Sequence, residues 1–142
     1  MADGTVLVMP SAAGMTPTLR RFLDDVVGAQ LVIAEAGDGQ LAARACAAIT
    51  SLQPLPPITV VTFDEAALLL PAIAVAQRAA HRRVVGYVLV DPVLPPVTES
   101  WPDAPVTVVT DDTDGQASLQ SRLRGWVVLD HAAFAHWRPD ND

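Results

Sequence analysis

Three residues in this chain have the types and surroundings that suit proton transfer: Asp64, Asp91 and His131. Asp64 sits between an apolar run, Ile58–Phe63, and an Ala- and Leu-rich stretch, Glu65–Ala80. A carboxylate at such a strand-to-helix junction faces backbone N–H groups and the positive end of the helix dipole, which favours its charged form. It can act there as a general base, or simply cap the helix. His131 follows the apolar run Trp126–Leu129. A position just past the C-terminal end of a strand is where α/β sheets place their ligands. Asp91-Pro92 closes Val84–Val90 and also suits an ordinary turn. Asp111, Asp112 and Asp114 follow Val106–Thr110 and precede Gly115. Three carboxylates in that setting read as a solvated turn and helix cap.

Other reactive residue types carry weaker signals. Ser11 lies in the loop after the first apolar run, where it hydrogen-bonds within its turn or acts as a displaced nucleophile. Cys46, the single cysteine, lies in LAARACAAI and reads as a small buried apolar residue; no internal disulfide can form. His81 sits among arginines at the expected end of a helix, where the dipole suits it, and His136 reads as a surface residue. The spacing of His131 and His136 does not put two imidazoles on one helical face, so no metal site is expected. No Gly-rich phosphate loop followed by Lys is present, and no cofactor is expected. Trp101 and Trp137, in loop and terminal contexts, read first as packing against the core, with the lining of an apolar pocket as the functional alternative.

Six runs rich in Val, Ile and Leu must position these groups: Thr5–Met9, Gln30–Ala34, Ile58–Phe63, Val84–Val90, Val106–Thr110 and Trp126–Leu129. They are apolar at nearly every residue rather than alternating, the pattern of parallel strands covered on both faces. Helical stretches lie between them: Thr16–Val27, opened by Thr16-Pro17; the Ala-rich Gln40–Leu52; Glu65–Ala80, with a kink or late start at Pro71; Gly115–Leu123; and Ala132–Trp137. Strand and helix alternate six times, which predicts an α/β domain: a three-layer sandwich around a parallel sheet.

The chain of 142 residues fits one domain, 1–142, and half of it is hydrophobic, enough for a sizeable core. No apolar run reaches the length that crosses a bilayer, and the N-terminus lacks the charged segment of a signal peptide, so a cytoplasmic location is expected. The net charge is −7 and all nine cations are arginines, with no basic patch beyond Arg82-Arg83. Nucleic acid and anionic membrane surfaces are therefore poor partners, and an acidic carrier protein would be repelled at long range.

The segment ITVVTFDEAALLLPAIAVAQRAAHRRVVGYVLVDP resembles the nucleophile region of thioesterase domains from polyketide and nonribosomal peptide synthesis, members of the α/β-hydrolase superfamily. In that family a strand enters a G-x-S-x-G-G elbow, then a long helix and a strand ending in Asp. Here Asp64 stands at the nucleophile position of Thr62-Phe63-Asp64-Glu65-Ala66-Ala67, and the interval from Asp64 to Asp91 matches that between the family's nucleophile and triad acid. VLVMPSAAGM is similar to the turn that supplies an oxyanion amide, AEAGDG to the loop after the next strand, and WVVLDHAAF to the closing strand with its Asp-His pair. The likeness covers almost the whole chain in the right order. It departs from the family in having no Ser at the elbow, Thr and Ala for its glycines, no counterpart of two N-terminal strands, and a lid reduced to Val93–Pro105.

The resemblance implies a minimal, lidless α/β-hydrolase core with six parallel strands in the order 2-1-3-4-5-6. It implies His131 as base, Asp91 as the acid that orients it, and the amides of Ala12 and Glu65 for an oxyanion. Ser11 and Trp101 would line the substrate pocket. Asp64 as a nucleophile would form an ester with an alkyl substrate, as in Asp-type hydrolases of the superfamily, which depend on a cap this chain lacks. Against a thioester it would form an anhydride, no less reactive than the starting bond, so the base role is preferred. The expected activity is acid–base work by Asp64 and His131 on an acyl or polyketide-like intermediate: cyclisation, elimination, isomerisation or hydrolysis. A carrier protein or synthase would be the partner. The competing expectation is a non-catalytic accessory protein, or a homodimer formed through an exposed sheet edge or helix face. A flavodoxin-like nucleotide-binding domain shares the strand pattern but lacks a phosphate loop here.

Overall fold

The apolar runs become strands because a residue flanked by helices on both sides of a sheet has no solvent face to offer a polar side chain. The computed structural model describes residues 5–9, 30–33, 57–98 and 101–134. Within them lie β1 (Thr5–Met9), β2 (Gln30–Ile33), β3 (Ile58–Phe63), β4 (Val84–Val90), β5 (Val106–Val109) and β6 (Val127–Leu129). The strands form one parallel sheet in the order β2-β1-β3-β4-β5-β6. All six residues of β3, which lies in the interior of the sheet, are buried.

Side chains of successive strand residues divide between two cores, as the period of two requires. Leu7, Met9, Ile58, Val60, Tyr87, Leu89 and Val108 face one cluster. Val6, Val8, Val61, Phe63, Val88, Val90 and Val109 face the other, which Phe134 joins. A 3-10 segment, Asp64–Leu69, leads from β3 into α1 (Leu70–Ala79), whose Leu70, Ile73 and Ala74 complete the first cluster. The helix expected over Glu65–Ala80 therefore splits where Pro71 falls. Proline has no N–H to give and a φ preset for the first turn, so the α-helix starts there.

Two further helices are described, α2 (Gln116–Leu123) and the single turn α3 (His131–Phe134). The helices expected over Thr16–Val27 and Gln40–Leu52 lie outside the described residues, as does the end of the last one. Among the described residues no helix is long and apolar enough to cross a membrane.

The segment between β4 and β5 folds onto the sheet rather than standing away from it. Its Trp101 is fully buried, edge-on to Tyr87 and Trp126 with ring centroids 5.7 and 5.4 Å apart. Tyr87 Oη donates to Asp103 at 2.6 Å. Burial, then that hydrogen bond, pushes the phenol far above its ordinary pKa, so it remains a donor. Arg124 stacks over Trp126, 4.9 Å from the ring centroid, and donates to the Pro95 carbonyl at 2.9 Å. The segment is thus tied to β4 and to the end of α2.

Candidate active site

Parallel strands all deliver their C-terminal ends to one edge of the sheet, and four of the described acidic and imidazole residues, Asp64, Asp91, Asp111 and His131, lie there. Asp64 follows β3, Asp91 follows β4, Asp111 lies just beyond β5, and His131 lies just beyond β6. The pairing register sets their neighbourhood. Phe63 is the partner of Val90, so Asp64 and Asp91 leave the sheet on adjacent strands. Val109 is the partner of both Val90 and Leu129, which puts β5 between the strands that carry Asp91 and His131.

His131 Nε2 lies 3.0 Å from Asp91 Oδ2. The imidazole side chain is 21% exposed and the carboxylate 43%. A carboxylate acceptor on Nε2 selects the tautomer with its proton there, and leaves Nδ1 as the basic nitrogen. In a serine-type triad the acid holds Nδ1 and the other nitrogen does the work. The ring here is engaged from the opposite nitrogen. The His131 backbone N–H is held separately, donating to Asp111 Oδ1 at 2.9 Å. Asp130, the preceding residue, caps the same turn by accepting the Ala133 N–H at 2.7 Å.

Asp64 and Asp91 share an uncommon backbone. Their φ values are 56° and 46°, in the left-handed region that costs an ordinary L-residue about 1–2 kcal/mol. Asp91 also precedes Pro92, which restricts it further. The two turns brace one another, because the Val93 N–H donates to the Asp64 carbonyl at 3.2 Å. Asp64 is the first residue of the 3-10 segment, with Phe63 at the preceding cap position. Glu65 is the second residue of that segment and partly buried, while Ala66 and Ala67 are packed in the core. Small side chains at 66 and 67 let the segment lie close to β3 without the glycines of the elbow.

Trp101 is a correction. It does not line an open cleft, because its segment folds inward and seats the indole in the core against Tyr87, several residues before the strand's functional end. Ser11 and Ala12 lie outside the described residues, as do Cys46, His136 and Trp137. His81 follows α1 with φ 60°, at the opposite edge of the sheet from Asp64. Asp112 serves its own turn. Its N–H donates to Thr110 Oγ1, and its carbonyl accepts Ser118 Oγ at 2.7 Å and the Gly115 N–H at 3.1 Å. The Asp111–His131 contact and the Tyr87–Asp103 bond are not apparent in the sequence. Neither has a local signal, since the partners are 20 and 16 residues apart. Among the described residues, no group of three or more His, Cys, Asp or Glu could hold a metal ion.

No protein-family model, curated protein or solved structure matches this chain.

Proposed function

We propose that this chain is an atypical thioesterase-like enzyme of the α/β-hydrolase fold, acting by acid–base chemistry on an acyl intermediate of polyketide-type biosynthesis. The observation that carries the reading is the 3.0 Å pairing of His131 with Asp91 at the C-terminal edge of a parallel sheet. The left-handed turn at Asp64 supports it, since backbone strain collects where a side chain must be aimed rather than packed. The strand order supports a relation to a minimal α/β-hydrolase core.

In this reading His131 takes a proton from the substrate at Nδ1 and returns it later in the reaction. Asp91 holds the ring and offsets the charge of the imidazolium as it forms. Asp64 is a carboxylate base that shares the proton transfer. It does not become acylated, because an anhydride would gain nothing over a thioester. Backbone amides, that of Glu65 among them, are the donors for a developing oxyanion. The substrate is an acyl or polyketide-like chain, presented free or on a carrier protein, and the products are those of cyclisation, elimination, isomerisation or hydrolysis.

Turnover of a panel of acyl and β-ketoacyl thioesters by the wild type, Asp64→Asn and His131→Ala, followed by mass spectrometry, tests this. Removing a general acid–base group should slow the reaction by about 100-fold or more. Equal turnover in all three proteins would mean that Asp64 and His131 do not carry the chemistry, and turnover in none would leave the non-catalytic accessory reading in its place.

A further inference from the structure

We propose that Asp111 is a positioning residue for the proton-carrying pair, acting through the backbone of His131 and not as a second acid for its ring. The inference rests on His131 being the group that moves the proton. Its starting point is a problem of reach. His131 stands beyond β6 and Asp91 beyond β4, with β5 between them. Neighbouring strands are about 4.8 Å apart, so the two backbones are separated by roughly 10 Å. That is close to the combined length of an extended imidazole, an extended carboxymethyl group and one hydrogen bond. The pair has little slack, and a small drift of the chain at residue 131 would part Nε2 from its carboxylate.

The drift has to be prevented locally, because β6 is short and at the sheet's edge. It spans three residues, pairs with β5 alone among the described strands, and ends at Leu129. The last ladder contact is the Thr110 N–H to the Leu129 carbonyl at 2.9 Å. Residue 131 is two positions beyond it. Asp111, itself just beyond the middle strand, reaches across and accepts the His131 N–H at 2.9 Å. This extends the β5–β6 connection to the catalytic residue itself. The neighbouring carboxylates do other work: Asp112 belongs to its own turn and Asp130 caps the turn that follows.

The proton on His131 Nε2 reports the pair directly. When held by a carboxylate and shielded from exchange, it gives a downfield resonance in a proton–nitrogen spectrum of labelled protein. Asp91→Ala should abolish it. Asp111→Ala should abolish it too, although that side chain does not touch the ring. Asp111→Asn, which keeps an oxygen acceptor but not the charge, should retain it. Asp111→Ser, too short to reach residue 131, should behave as the Ala variant and covers the case in which Ala disturbs the fold; unchanged melting of the variants and an unchanged His81 signal confirm that the fold is intact. Persistence of the resonance in Asp111→Ala or Asp111→Ser would overturn the proposal. So would its loss in Asp111→Asn, which would make the charge of Asp111 the operative feature. The measurement needs no substrate, so failure of thioester turnover in the wild type would sink the catalytic reading without deciding this one.

Discussion

The ends of β3 and β5 carry the same short pattern, Thr-x-Asp, and use it in opposite ways. At β5, Thr110 is the first residue beyond the strand, so the chain is free to turn back on it. Its Oγ1 accepts the Asp112 N–H at 3.2 Å, and the turn closes on Ser118 and Gly115. At β3, Thr62 is still inside the strand and fully buried, and its Oγ1 has no hydrogen-bond partner among the described residues. The strand runs one residue further, and Asp64 then turns through left-handed backbone. A shift of two positions relative to the strand end separates a satisfied turn from a strained one. The difference teaches that residue type alone does not mark the site. Asp112 is where its turn chemistry favours it, whereas Asp64 is held where its own backbone resists.

The sharpest test of the contrast is a pair of nearly isosteric substitutions with opposite expected signs. Thr62→Val removes a buried hydroxyl with no partner among the described residues, and should raise stability by about 1 kcal/mol; Thr110→Val removes the acceptor of the Asp112 N–H, and should lower it by about 1 kcal/mol. Denaturant unfolding of the two variants gives both numbers, and shifts of the same sign would break the comparison. Next in size is Asp64→Gly. Glycine enters the left-handed region freely, so relief of strain should leave stability unchanged or raise it by less than about 1 kcal/mol, after its extra unfolded-state entropy is allowed for. A clear loss of stability would mean that the Asp64 side chain holds the turn together. The smallest effect is expected at Gly115, where an added Cβ would run into the Asp112 carboxylate. That carboxylate is exposed and able to swing aside, so Gly115→Ala should cost under about 1 kcal/mol and be rescued by Asp112→Ala in a double-mutant cycle.

Much of the scaffold was legible in the primary structure. A parallel strand between two helical layers must be apolar throughout, and runs such as ITVVTF and VVGYVLV have no other economical use. The late start of α1 was readable because a prolyl ring forbids the helix interior wherever it occurs. The site was legible in part. Asp91 and His131 stood out as polar groups at strand ends, but so did Asp64, Asp111 and Asp112, and nothing local distinguishes a carboxylate that holds an imidazole from one that closes a turn. Trp101 was harder still, since an aromatic residue in a loop suits a pocket wall and a core equally well.

The sequence by itself determined which stretches form strands, that they run parallel, and that Asp64, Asp91, Asp111 and His131 follow strand ends at one edge, because these follow from periodicity and from residues close along the chain. Only the tertiary structure decided that Asp91, the acid the resemblance implied, meets His131 through Nε2, that Asp111 holds its backbone, and that Trp101 lies inward against Tyr87 and Trp126. The physical reason is distance along the chain. Asp91 and His131 are 40 residues apart and meet across an intervening strand, so their contact depends on strand order, register and the reach of two side chains together.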